Sequence, residues 1–108
     1  DANAANAPLY QAGLGRMLEQ LRKDLASPDM AALLGVNTRF GNDKNVFMHR
    51  IIEAQKALAA ADPKCRYVDC AGAETLGPSQ THFTSAGTLE IGKRFAKAYA
   101  ELTAKAAR

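Results

Sequence analysis

The chain reads Met-Ala-Ala-Leu-Leu-Gly-Val at residues 30–36, between the turn signal Ser27-Pro28-Asp29 and a polar loop at residues 37–44. A short, wholly apolar run between turn signals is typical of a strand buried on both faces, as in a parallel sheet. This stretch therefore predicts a central strand of an α/β protein, whose two faces must be covered by the elements around it.

Two amphipathic helices are predicted on either side of this strand. Residues 10–25 carry apolar side chains at helical spacing, and the helix ends before Pro28 because proline disfavours helical geometry in the residue that precedes it. Residues 45–61 show a second apolar stripe at the same spacing. The N-cap oxygen of this second helix is expected from Asn42, Asp43 or Asn45.

A second strand and a third helix complete the predicted order. Residues 65–70 read as a short strand and residues 71–82 as a long loop, and a helix over residues 86–105 is capped by Thr84 or Ser85. Glycines inside a helix usually mark a close approach of backbone to backbone, so the helix is expected to touch another segment at Gly87 and Gly92. The predicted inner face of this helix consists of Leu89, Gly92 or Ile91, Phe95, Ala96, Tyr99 and Leu102.

The alternation of helices and strands predicts a parallel α/β layer fold. Only two strands are visible, and both read as buried on two faces. Two such strands cannot cover each other, and they leave an open edge on each side. We therefore expect further strands from residues absent from this sequence, supplied by an N-terminal half on another chain or by a swapped partner molecule.

The composition predicts one domain with no nucleic-acid or membrane partner. The 108 residues include 14 Lys and Arg against 11 Asp and Glu, a net charge of +3, and the basic residues are spread over the three predicted helices. No basic arm is present, and no run of about 18 apolar residues could cross a membrane. Residues 1–9 form a linker-like start that lacks the charge and apolar core of a signal peptide.

The two cysteines, Cys65 and Cys70, leave two alternatives open. A local disulfide suits an oxidising compartment, and two free thiols suit a reducing one. On an extended strand, positions five apart point to opposite faces, so a disulfide needs a bend in the chain between them. The disulfide is our expectation, as is a secreted or periplasmic location rather than a cytoplasmic one.

The stretch Thr-His-Phe-Thr-Ser-Ala-Gly at residues 81–87 is the strongest candidate for chemistry. His82 ends a loop that follows the carboxyl end of a predicted strand, which is where sites lie in open α/β sheets. A histidine titrates near neutral pH and can act as a general base toward a hydroxyl nucleophile. His49, by contrast, reads as a polar-face residue of the second helix, and a zinc site from both histidines and both cysteines is disfavoured.

Three segments of the chain resemble one enzyme family. Residues 82–98, HFTSAGTLEIGKRFAKA, look like the last block of SGNH/GDSL hydrolases, in particular the sialate O-acetylesterase-like and acetylxylan-esterase-like carbohydrate esterases. Residues 51–59, IIEAQKALA, are similar to a family helix with an EAQ core, and residues 10–25 resemble the helix that follows a Gln-Gly-Glu motif. By this resemblance, that motif is expected just upstream of Asp1.

The resemblance implies a flavodoxin-like three-layer α/β/α sandwich, of which residues 1–108 are the C-terminal half of a single domain, ending in the histidine block and final helix at 82–105. It implies hydrolysis of O-acetylated carbohydrates by a serine in a Gly-x-Ser block, which would lie in a missing N-terminal half of the domain or on a second chain. His82 would be the general base, and no metal or organic cofactor is implied. The serines present here lack the context of a nucleophile elbow: Ser27, Ser79 and Ser85.

One position departs from the family pattern. The resemblance places an Asp three residues before the catalytic histidine, where this chain has Ser79. The Asp would hold the imidazole in the right tautomer and stabilise its cation. Ser79 or a nearby main-chain carbonyl would orient His82 without that charge, or Asp69 or Glu74 would substitute. A weak esterase, a dyad enzyme and a non-catalytic carbohydrate-binding or structural relative are therefore all compatible with the sequence.

Further candidates for substrate contact follow the first predicted strand. Asn37, Thr38 and Arg39 lie at its carboxyl end, and Arg39 could meet a sugar carboxylate in bidentate fashion. The alternative is a surface loop with a structural arginine. Phe83 lines a pocket or simply packs. A last alternative for the whole chain is an α/β signalling or interaction module, although no phosphate loop or acidic phosphorylation pocket is visible.

Overall fold

A computed structural model describes residues 2–106, which form a mixed α/β protein. The elements in chain order are a short 3-10 helix (Ala7–Leu9), α1 (Tyr10–Asp24), β1 (Ala32–Leu34), α2 (Met48–Ala61), β2 (Cys65–Tyr67), β3 (Thr75–Leu76), β4 (His82–Phe83) and α3 (Ser85–Ala106). The predicted helices and the two predicted parallel strands are all confirmed, each within a few residues of its expected bounds. No helix in this range is long and apolar enough to cross a membrane.

The strands form two separate pairs. β1 and β2 are parallel, with Ala32 opposite Cys65 and Leu34 opposite Tyr67. β3 and β4 form an antiparallel hairpin in which Leu76 faces His82. The expectation of an irregular loop over residues 71–82 is therefore wrong in part, because strands of two residues are too short to show any periodicity. Within residues 2–106, the second edge of β1 has no neighbouring strand.

The main core lies between the parallel strands and the first two helices. Leu18 of α1, Ala32 and Leu34 of β1 and Cys65 of β2 form one buried cluster. Side chains alternate along a strand, so Gly35 belongs to the opposite face of β1 from Leu34. A Cβ atom on Gly35 would lie 2.8 Å from the ring of Phe95 in α3, so this glycine allows α3 to pack closely against that face.

The predicted disulfide is wrong, since Cys65 and Cys70 are both buried free thiols. Cys65 belongs to the cluster under α1, whereas the Cys70 sulfur lies 3.0 Å from where a Cβ on Gly35 would stand, on the α3 side. The two side chains thus point to opposite faces, which is what the spacing of five residues on a strand predicts and what argues against a disulfide. Burial raises the pKa of both thiols above the ordinary value of 9.0.

The apolar stripes of two helices are only partly covered. On α3, Ala98 and Leu102 are buried, but Leu89 and Tyr99, predicted on the inner face, are 68% and 53% exposed. Their flank of α3 has no element packed on it in residues 2–106, which is the physical reason for the difference. The same pattern is seen in α1 and the residues on either side of it, where four large apolar side chains are exposed: Leu9, Met17, Leu21 and Leu25.

The predicted N-caps of α2 and α3 and the predicted close approaches of two glycines can be compared with the structure. Thr84 caps α3 as predicted, because its Oγ1 accepts a hydrogen bond from the Gly87 N–H at 3.0 Å. The predicted cap of α2 is wrong: Phe47 occupies the N-cap position without a side-chain cap, and the Asn45 Oδ1 instead accepts from the N–H of Phe47 itself, just before the helix. Gly87 makes the expected close approach, whereas nothing lies within 4 Å of a Cβ placed on Gly92.

The segment predicted as a linker-like start is in part ordered against the rest of the protein. Ala7 is buried within the short 3-10 helix, and the carbonyl of Ala2 accepts a hydrogen bond from the Asn45 side chain at 3.0 Å. Asp1, the first residue of that predicted segment, lies outside the described residues.

Candidate functional site

Two segments meet beyond the carboxyl ends of β1 and β2. The first is the loop that follows β1, and the second is the turn that leads into β4 and His82. The side-chain amide of Asn37 joins them, because its Nδ2 donates to the carbonyls of Gln80 and Thr81 at 2.7 and 3.1 Å. Its Oδ1 accepts from the Arg39 N–H at 3.0 Å. The predicted candidates at residues 37–39 are therefore brought to the segment that carries His82.

Backbone hydrogen bonds hold the same two segments together. The Ser79 carbonyl accepts from the N–H groups of Gly41 and Asn42, each at 2.9 Å. Arg39 adds a side-chain contact, its Nη1 lying 3.3 Å from Oε1 of Gln80. The loop after β1 and the turn before His82 thus form one connected unit.

The turn before His82 depends on a glycine and on Gln80. Gly77 has φ of 86°, a backbone conformation that L side chains rarely adopt, and its carbonyl accepts from the Gln80 N–H at 3.1 Å. The Gln80 side chain reinforces the turn by donating to the same carbonyl at 2.8 Å and by pairing with Thr75. Sequence reasoning did not single out Gln80, because its partners are set by the turn itself.

His82 combines an exposed side chain with a restrained backbone. It pairs with Leu76 across the β3–β4 hairpin, and its side chain is exposed. Two residues later the Thr84 N–H donates to the Glu74 carbonyl at 3.1 Å. A Cβ on Gly87 would overlap that carbonyl oxygen and lie 3.1 Å from its carbon, so the start of α3 packs directly on the hairpin.

The predicted orienting contact of Ser79 is not formed in this structure. The Ser79 hydroxyl lies 2.5 Å from that of Thr81, and its carbonyl is taken up by the loop after β1. Asp69, an alternative partner for the histidine, accepts from the Ala71 N–H at 2.9 Å. The orienting role of Ser79 and the catalytic role of His82 stay predictions.

The predicted substrate contacts are largely engaged within the protein. Arg39 forms an ion pair with Asp43 at 3.1 Å and also donates to Asn42 at 3.2 Å. Thr38 and Phe83 are half-buried. The structural alternative for Arg39 thus has direct support, and a role of these residues in binding substrate stays a prediction.

Arg94 of α3 bonds the segment that follows β2. Its Nη1 donates to the carbonyls of Asp69 and Ala71 at 3.0 and 2.6 Å, and its Nε donates to Glu90 at 2.9 Å. These bonds tie the segment after β2 to α3. Sequence reasoning placed Arg94 in the family-like block without a role, since its partners are main-chain carbonyls more than twenty residues away.

A cavity of about 290 Å³ opens beside Asn37 at the carboxyl end of β1, and Gln55 of α2 lines it. Gln55 is 4% exposed, and its Nε2 donates to the Tyr10 hydroxyl at 2.9 Å. Its Oε1 is buried with no hydrogen-bond partner among the described residues. Gln55 lies on the apolar stripe predicted for residues 45–61 as well as in the EAQ core, and its burial agrees with that stripe.

A larger groove of about 710 Å³ lies at the opposite, amino ends of the strands. It runs between α1 and α2, with Leu18 and Cys65 among its lining residues and the ion pair of Arg22 and Asp62 at its rim. Its size exceeds that of the cavity near Asn37, but it holds none of the residues predicted to do chemistry. In residues 2–106, no group of three or more His, Cys, Asp and Glu side chains is placed to hold a metal ion.

Comparison with known proteins agrees with the resemblance seen in the sequence. Residues 1–101 match the family model described as carbohydrate esterase, sialic acid-specific acetylesterase. No curated protein and no solved structure matches the chain. The match covers nearly the whole sequence, including the histidine block and most of α3. The chain therefore belongs to the carbohydrate esterase family of sialic acid-specific acetylesterases.

Proposed function

We propose that this chain supplies the general base of a serine esterase that removes acetyl groups from sugars, and that His82 is this base. The observation that carries the proposal is the exposed imidazole of His82 on a backbone held by the hairpin and by α3. Membership of a carbohydrate esterase family supports the reaction class. A general base needs this combination of free side chain and fixed main chain, because its distance to the nucleophile decides its efficiency.

In the proposed reaction, a serine hydroxyl attacks the carbonyl carbon of the acetyl ester while His82 takes the hydroxyl proton. The tetrahedral intermediate collapses when the bond from carbon to the sugar oxygen breaks, and His82 returns the proton to that oxygen. Water then attacks the acetyl-serine with His82 again as the base, which releases acetate and restores the serine. We expect the whole reaction to require no metal or organic cofactor.

The nucleophile and the oxyanion donors are proposed to come from residues outside this sequence, in an N-terminal half of the domain or on a second chain. The three serines here support this, since Ser27 donates to the Leu25 carbonyl, Ser79 pairs with Thr81, and Ser85 opens α3. The open edge of β1 and the exposed apolar flanks of α1 and α3 are compatible with a wider sheet and a three-layer α/β/α sandwich.

A second candidate is a non-catalytic, carbohydrate-binding or structural relative of the same family. Ser79 favours it, because it offers no carboxylate to fix the tautomer of His82 and its hydroxyl is paired with that of Thr81. Wrong-tautomer changes in a triad can lower kcat by about 10⁴. This candidate predicts sugar binding without turnover.

The test is hydrolysis of 4-nitrophenyl acetate by the protein together with every polypeptide that accompanies it on purification. His82→Ala is expected to abolish turnover, and His49→Ala, which removes the other, exposed histidine, is the matched control and should leave it intact. Loss of turnover in both variants, or in neither, would contradict the role of His82.

A gain-of-function variant separates the two candidates. Ser79→Asp places a carboxylate at the position that the family pattern reserves for it. If the protein is a weak esterase, kcat should rise, by up to about 10⁴-fold. If neither the wild type nor Ser79→Asp turns over substrate while an acetylated sugar still binds, the non-catalytic candidate stands instead.

A further inference from the structure

We infer that Asn37 is a positioning residue for His82, acting through the two peptide groups that immediately precede the histidine. The Nδ2 of Asn37 lies 2.7 Å from the Gln80 carbonyl oxygen and 3.1 Å from that of Thr81. This role differs from substrate contact, and it rests on the proposed function of His82 as general base.

The side chain of Asn37 has little capacity left for a ligand. A carboxamide nitrogen has two hydrogens to donate, and Nδ2 of Asn37 has two main-chain carbonyls within hydrogen-bond distance to accept them. The amide oxygen already accepts from the Arg39 N–H at 3.0 Å. A residue whose role is to bind sugar would keep a donor free, whereas a residue that fixes main chain uses both, as Asn37 does.

Asn37 links β1 to the residues just before His82. It follows the buried end of β1 after only Gly35 and Val36, and Leu34 of that strand belongs to the main core. Thr81, one of its two acceptors, is directly bonded to His82 in the chain. The contact of Gly87 with Glu74 fixes the other side of the hairpin. Removal of the amide should therefore loosen the turn before His82 and the start of β4 while α3 remains in place.

The decisive variant is Asn37→Asp, which has almost the same shape but no hydrogen to donate. Its carboxylate would face two carbonyl oxygens, so the two contacts turn from attractive to repulsive. Asn37→Ala removes the side chain without adding charge, and it is the second variant in case the aspartate prevents folding. The matched control is Asn45→Asp, which also loses a bond from an amide to a main-chain carbonyl, that of Ala2, but does not touch Gln80 or Thr81.

The first readout needs no activity. Backbone NMR relaxation of Gln80, Thr81 and His82 should report order parameters that fall from near 0.85 to below about 0.6 in the Asn37 variants, while Asn45→Asp keeps the wild-type values. Unchanged order at these three positions in both folded Asn37 variants would overturn the inference. This readout decides the matter even if the protein proves to have no esterase activity, so a failure of the proposed function remains distinguishable.

The second readout is the split between kcat and KM in ester hydrolysis. A displaced general base lowers kcat, and a misplacement of about 1 Å can cost about 10²-fold. We expect kcat to fall about tenfold to 10²-fold in Asn37→Asp, with KM and the Asn45→Asp control unchanged. A raised KM with unchanged kcat would instead identify Asn37 as a substrate contact and overturn the inference.

Discussion

At the amino ends of β1 and β2 the chain is held by the ion pair of Arg22 and Asp62, whereas at the carboxyl ends the residues just before His82 are bonded to the neutral amide of Asn37. Arg22 of α1 donates to Asp62 at 2.6 Å and twice to the Met30 carbonyl, at 3.0 and 2.9 Å. At the other end, the amide of Asn37 and the close contact of Gly87 do the equivalent work.

This difference teaches how the protein separates stability from candidate chemistry. The charges at the amino ends are half-buried and neutralise each other. At the carboxyl ends, the residues just before His82 are held by the Asn37 amide and by main-chain hydrogen bonds, and its own imidazole is exposed and takes no part in holding them. A histidine whose segment is held by other groups remains available for proton transfer.

The largest effect is expected from the contact of Gly87. Gly87→Ala places a methyl group on the Glu74 carbonyl, which is main chain and cannot rotate away. We expect a loss of about 3 kcal/mol in the free energy of unfolding, measured by urea denaturation. A loss near zero would show that the hairpin is not held against α3 at the carboxyl ends of the strands.

A smaller loss is expected at the amino ends from Arg22→Met. The substitution keeps much of the packing but leaves Asp62 and the Met30 carbonyl without their donor. We expect a cost of about 2 kcal/mol in the same measurement, since both acceptors are half-buried. Arg16→Met, at an exposed position on the same helix, is the control and should change stability by less than about 0.5 kcal/mol.

Acid should weaken the ion pair of Arg22 and Asp62 at the amino ends of β1 and β2. Burial tends to raise the pKa of Asp62, but hydrogen bonds from Arg22 and Lys64 and their charges outweigh it and hold the pKa below its ordinary value of 3.8. Since the folded-state pKa is the lower one, the stabilisation is present above about pH 3.8 and is lost as the pH falls through the folded-state value. Wild type and Asp62→Asn should therefore differ in unfolding free energy at pH 6 and converge in strong acid; a constant difference would contradict this.

The smallest effect is expected from the second glycine of α3. Nothing stands within 4 Å of a Cβ on Gly92. Gly92→Ala should therefore stabilise the protein by about 0.5–1 kcal/mol through helix propensity alone. It is also the matched control for Gly87→Ala, and a destabilisation would reveal a neighbour that covers this side of α3.

Much of this fold could be predicted because the signals are local. Helical spacing identified α1, α2 and α3, and the apolar run at residues 30–36 identified β1. The hairpin of β3 and β4 could not be found, since strands of two residues have no period. The disulfide was wrong although the spacing argument against it was available, and burial of Cys65 and Cys70 on opposite faces decides the matter.

The candidate site could be predicted in place but not in detail. The position of His82 after a strand's carboxyl end was readable from the order of elements. The role of Asn37 was not, because its two acceptors lie 43 and 44 residues further along the chain. Gly87 was expected to approach a backbone, but only the structure names Glu74 as the partner and excludes the same reading for Gly92.

The contact between Gly87 and Glu74 also determines how the candidate site can move. The Thr84 N–H donates to the Glu74 carbonyl on which Gly87 packs, so these contacts must break before the hairpin can separate from α3. An opening that preserves these contacts displaces hairpin and helix together, as a collective motion on the microsecond to millisecond timescale rather than as the nanosecond fluctuation of a free loop. We expect the histidine to stay close to α3 during such a motion.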